Sequence, residues 1–147
     1  MCKYEGGTEI SSNNQPLKVR FNHDYSEGYL LEDFICKWDG FTIVVQKDFI
    51  TDFASVPRWA WSFTPPFGQY TPAAVVHDWL YAAKPFTRST CDKIFLNLME
   101  RLDVGWWKRQ IMYYAVRVGG ASCWSYGRLL ETHFKSFADD VDTTHIL

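Results

Sequence analysis

Apolar positions change their spacing along the chain, and the changes divide it. Residues 1–16 are polar, rich in Gly, Ser and Asn, and carry no apolar period; they read as a loose arm. Two apolar stretches follow, GYLLEDFICKW and GFTIVVQ, on either side of Asp39-Gly40. That dipeptide suits the positive φ angles of a two-residue turn, so the spacing predicts a β-hairpin over 28–47. From 48 to 71 the period is lost: Pro57, Pro65, Pro66 and Gly68 exclude a long regular element, and five aromatics stand between Trp59 and Tyr70. A loop of this length in a small domain usually serves a function.

Helical spacing begins at Thr71-Pro72, where Thr suits an N-terminal cap and Pro loses no hydrogen bond; Pro85 predicts an end near Lys84. Ser89 and Asp92 stand at capping-box spacing ahead of a stripe of Ile94, Phe95, Leu98, Met99 and Leu102, which predicts a second helix to about Leu102. A third carries Trp107, Ile111, Tyr114, Ala115 and Val118 and is expected to stop at Gly119-Gly120. GRLLETHFKSF suggests a fourth helix, and ADDVDTTHIL an acidic tail. The expected architecture is one α+β domain, mainly helical. It comprises an arm (1–16), a hairpin (28–47), an aromatic loop (48–71), a core of antiparallel helices (72–120) and a C-terminal extension (121–147).

Composition narrows the function. The 147 residues are 47% hydrophobic and 22% charged with a net charge of −2, so neither wholesale disorder nor a basic nucleic-acid surface is expected. Cys2, Cys36, Cys91 and Cys123 lack metal-ligand spacing; their even number permits two disulfides, and buried free thiols are the plainer reading. The N-terminal residues show no apolar signal core, and no run is long enough to span a membrane, so synthesis in the cytoplasm is expected.

The apolar run AAVVHDWLYAA holds His77 and Asp78 where a helix would bury Val or Leu. His77 shares a helix face with Ala73, Leu80 and Tyr81; Asp92 shares one with Phe95 and Met99. A short link between the two helices would set His77 opposite Asp92, giving a base and the carboxylate that orients it. Asp78 points about 100° away from His77 and, with Asp52, suits a hard divalent cation. Other roles stay open. Asp92 suits a helix cap, Asp78 a salt bridge to Arg58, Arg88 or Arg117, and Asp52 a turn cap; Tyr81 suits a core aromatic with a bonded hydroxyl.

The strings TDFASVPR, PPFGQYTPAAVVHDWLY and MYYAVRVGG resemble a family of bacteriophages and prophages, domain of unknown function 1353. The order TD, PFG, HDxxY, then Asp92 and a later YYAV, is similar to that of small secreted bacterial phospholipases A2. This second resemblance implies a phospholipase A2-like helical core, His77 as general base, Asp92 as its orienter and Tyr81 as the motif's tyrosine. It also implies Asp52 and Asp78 as ligands of Ca2+. A phage-encoded, calcium-dependent hydrolase of a lipid ester or other envelope component is the expectation, with Trp59, Trp61, Phe63 and Phe67 as an aromatic lip at a membrane interface. The alternative is a non-enzymatic virion, tail or assembly protein in which the same cluster is structural and the partners are other virion proteins. A histidine-aspartate metal phosphohydrolase needs further ligands, for which only His23, His133 and His145 remain.

Overall fold

The computed structural model describes residues 16–24, 27–52 and 68–126. The architecture is α+β and mainly helical, with small antiparallel sheets ahead of three helices. β3 (Phe34–Trp38) and β4 (Phe41–Val45) form the expected hairpin, in the register Phe34 to Val45 and Trp38 to Phe41. Its turn is Asp39-Gly40 with φ of 46° and 81°, the left-handed pair that a tight hairpin demands. Alternation buries Phe34, Cys36, Ile43 and Val45 on one face.

The predicted hairpin over 28–47 is too long at its start. β2 (Gly28–Leu30) leaves it and forms a second sheet, paired antiparallel on one side with β1 (Val19–Phe21) and on the other with β5 (Ile50–Thr51). Gly28 permits this crowding, since a Cβ there would stand 2.7 Å from the side chain of Val19. The Asp33 carboxylate accepts the Lys47 amide at 2.7 Å and ties the base of the hairpin. β5 was read from sequence as part of the loop; two residues are too few to show a period.

α1 (Thr71–Ala83) starts and ends close to expectation. Tyr70 stands at the N-cap without a side-chain bond, while Thr71 Oγ1 accepts the amide of Gly68 at 3.0 Å. Lys84 ends the helix in the left-handed region (φ 50°), donating its amide to Leu80 O at 2.9 Å just before Pro85. α2 (Arg88–Arg101) is capped by Thr87, whose hydroxyl oxygen accepts from the Thr90 amide. The capping-box role of Asp92 is thereby excluded.

α3 (Trp106–Tyr126) departs most from expectation. Gly119-Gly120 does not stop it; the helix runs on to Tyr126, and Gly120 is where it crosses close to α1. Of the predicted apolar stripe, Ala115 is buried and Ile111 half-buried, whereas Trp107, Tyr114 and Val118 face solvent; Met112 and Val116 take their place in the core. Short links fold α2 against α1 and α3 against α2, around a core of Val75, Val76, Leu80, Ile94, Phe95, Leu98 and Met112. No helix among the described residues is long and apolar enough to cross a membrane. Residues 1–15, 53–67 and 127–147, which hold most of the arm, of the aromatic loop and of the C-terminal extension, lie outside the described residues.

Candidate functional site

Three polar residues are buried in the described structure, and two of them, His77 and Asp92, meet at the centre of the helical core, each 0% exposed. α1 presents His77 on the face it turns toward α2, and α2 returns Asp92 from its second turn. His77 Nε2 stands 2.9 Å from Asp92 Oδ1. One turn further along α1, the Tyr81 hydroxyl donates to the same oxygen at 2.6 Å. From α3 the Arg117 guanidinium donates to Asp92 Oδ2 at 2.7 Å, and Arg88 Nε lies 3.7 Å from that oxygen. Arg88 Nη2 donates in turn to the Arg117 carbonyl, joining the two arginines.

Charge and tautomer follow from this arrangement. Burial alone would raise the Asp92 carboxyl, but bonds from His77, Tyr81 and Arg117 outweigh it and hold the group below its ordinary value, so Asp92 is a carboxylate. Burial drives His77 the other way: despite the neighbouring carboxylate, the imidazole is held below its usual 6.5 and stays neutral near pH 7. A carboxylate only accepts, so the Nε2 nitrogen carries the proton and Nδ1 bears the lone pair. Among the described residues Nδ1 has no hydrogen-bond partner, although it is buried. Burial and the bond to Asp92 raise the Tyr81 phenol strongly, so it remains a donor.

The ring of His77 packs between Tyr81 (centroids 4.2 Å apart) and Phe95 (4.8 Å). Tyr81 is held edge-on by Trp124 at 5.1 Å, and a Cβ on Gly120 would stand 2.7 Å from its hydroxyl. Helix α3 therefore encloses the cluster from the far side.

Asp78 points elsewhere, as its helical angle requires. The Thr51 hydroxyl donates to Asp78 Oδ2, which pins β5 to α1, and Asp52 follows Thr51 in sequence. Both carboxylates bear on one thiol: Cys123 is raised by burial first, and by the charges of Asp52 and Asp78 in addition. Among the described residues Arg88 and Arg117, two candidates for pairing with Asp78, both serve Asp92. Among the described residues no group of three or more His, Cys, Asp or Glu side chains is placed to hold a metal. Trp59, Trp61, Phe63, Phe67 and Arg58 lie outside the described residues.

Sequence reasoning brought His77, Asp92 and Tyr81 together but missed the arginine clamp. Arg88, four residues before Asp92 on one helix, was available as an (i, i+4) pair. Arg117 gave no local signal, because its role depends on how α3 crosses.

The class is thus a small α+β protein with a buried histidine, carboxylate and tyrosine cluster closed by arginine. Residues 29–116 match the family described as protein of unknown function (DUF1353), and the chain belongs to that family. The matched span holds Asp52, His77, Asp78, Tyr81 and Asp92, and ends one residue before Arg117. No curated protein and no solved structure matches the chain.

Proposed function

We propose that this chain is a phage- or prophage-encoded hydrolase of the phospholipase A2 type, in which His77 activates water against a lipid ester or related envelope component. One observation carries the reading: His77 Nδ1 is a buried lone pair without a partner, on a neutral ring whose other nitrogen is held by Asp92. Most polar atoms buried in a core have a partner, so a ring nitrogen left without one calls for a role.

In the proposed reaction, which requires the helices to part enough to admit water and ester to the buried ring, Nδ1 takes a proton from water as the oxygen attacks the ester carbonyl. Asp92 steadies the imidazolium that forms, and Tyr81 and Arg117 keep Asp92 ionised throughout. The imidazolium then returns the proton to the leaving alkoxide, giving a carboxylic acid and an alcohol. The side chains of Asp52 and Asp78, with main-chain oxygens and water, suit a hard cation. Calcium bound there would supply electrostatic stabilisation of the developing oxyanion. The aromatics Trp59, Trp61, Phe63 and Phe67 are proposed to meet the lipid. Free calcium is scarce in the host cytoplasm where the protein is made, so activity after lysis or from a particle is the consistent setting.

The test is calcium titration followed by NMR, together with fatty-acid release from phospholipid vesicles. Asp52 and Asp78 resonances should move, and His77→Gln and Asp92→Asn should abolish release while the helical circular dichroism persists. Cleavage that survives His77→Gln, or carboxylates that ignore calcium, would overturn the proposal.

A second reading is favoured by a different fact: the His77 ring is closed to solvent in the described structure. A virion, tail or assembly protein would use the cluster as an internal brace. It predicts stoichiometric copies in purified particles, and particles that assemble with the His77→Gln chain and keep their infectivity.

A further inference from the structure

A surface helix normally sends charged residues to water, and α3 does not. Its solvent-facing ridge runs Trp107, Ile111, Tyr114, Val118, Ala121, Ser125, with steps alternating between four and three residues, and none of the six is charged. Trp107, Tyr114 and Val118 are 74%, 62% and 81% exposed, and Trp106 beside them is 53% exposed. Alternating steps of four and three keep one line of side chains facing a second helix along its length. Of the three cations of α3, Arg109 turns to Glu100 at 3.0 Å and Arg117 to Asp92, and Lys108 is half-buried beside the ridge, not on it.

The order of sizes along this ridge specifies what covers it. We propose that two copies of the chain associate through α3, antiparallel, about a two-fold axis passing between Tyr114 and Val118. In that register Trp107 faces Ser125 of the second copy, Ile111 faces Ala121, and Tyr114 faces Val118. Large meets small at each level, on both sides of the axis, as a self-complementary two-fold interface requires. No like charges meet along the seam. Covering the exposed aromatics and Val118 removes on the order of 500 Å2 per copy, about 1,000 Å2 for the pair, which reaches the lower bound for a specific association. The proposal stands apart from the hydrolase reading, since none of the six ridge residues belongs to the His77 cluster.

Tyr114 and Val118 are exposed in the single chain, so substituting them leaves the core intact. The full chain should sediment at twice its single-chain mass at about 100 µM, as expected of a modest apolar interface. Tyr114→Glu and Val118→Lys should each sediment as single chains. An equimolar mixture of the two should recover the double mass, because the axis sets the introduced Glu against the introduced Lys. Single-chain mass for the unaltered protein would overturn the proposal. So would a double mass that survives either substitution, two variants that fail to associate when mixed, or association that appears only after residues 127–147 are removed.

Discussion

Gly120→Ala tests how α3 closes on the candidate site, because two effects of opposite sign compete there. In an isolated helix the change favours folding by about 1 kcal/mol, since Gly is a poor helix former. Here the new Cβ would stand 2.7 Å from the Tyr81 hydroxyl, 3.3 Å from Cε2 and 3.4 Å from Cζ. Non-bonded contacts of this kind relax at about 3.5 Å, so the hydroxyl must retreat by roughly 0.8 Å or the helices must part. The retreat is resisted, because the same hydroxyl donates to Asp92 at 2.6 Å and the ring is wedged between His77 and Trp124. Overpacking of this kind costs about 1–3 kcal/mol, and weakening a bond to a charged acceptor forfeits part of a further ~2 kcal/mol. The net expectation is a loss of about 1–3 kcal/mol. In a Tyr81→Phe background the closest contact is gone and two carbon contacts remain that a few tenths of an ångström relieve, so the same Gly120→Ala should be neutral or stabilising by up to about 1 kcal/mol. Urea unfolding of the four proteins, followed by circular dichroism, closes a double-mutant cycle whose coupling should be about 1–4 kcal/mol. A Gly120→Ala effect that is the same in both backgrounds would show that Tyr81 and Gly120 are not in contact, and the enclosure of the site by α3 would be wrong.

The pH dependence of stability has a definite sign. In the folded chain His77 is held below its usual 6.5, so as pH falls from about 6.5 through the folded value, the unfolded chain binds a proton that the native one refuses and stability drops. His77→Gln should flatten that part of the curve; an unchanged slope counts against a neutral, buried ring. Asp92 is also depressed, so its contribution is present above its ordinary 3.8 and is lost at more acid pH as the folded carboxylate protonates; Asp92→Asn should remove that acid limb. Burial raises the thiols of Cys36 and Cys91 to about 11 and about 12, leaving roughly a thousandth or less of either as thiolate at pH 8. Both should therefore react with a disulfide reagent only at the rate of unfolding, and fast modification of native protein, located by peptide mapping, would contradict their burial.

Sequence carried the local features and lost the ones made by tertiary contact. The Asp39-Gly40 turn, the α1 limits at Thr71 and Lys84 and the stripe of α2 are local signals, each readable from a few neighbouring residues, and the structure reproduces them. His77 and Asp92 were legible together because a polar residue on each of two consecutive apolar stripes, joined by a four-residue link, has few places to go except toward the other. The failures concentrate in α3. Gly119-Gly120 looks like a helix stop because glycine is locally permissive, yet here it answers a steric demand from Tyr81, thirty-nine residues upstream, and no window along α3 contains that demand. The stripe of α3 was partly misassigned because two apolar arcs compete on one helix. Met112, Ala115 and Val116 face the core, while Trp107, Tyr114 and Val118 form the larger arc and face away from it. Hydrophobic periodicity reports that a face avoids water without saying which neighbour it meets. A core is one such neighbour and a second chain is another, so the helix with the most apolar surface left over is where a single sequence misleads most and where the structure has the most to add.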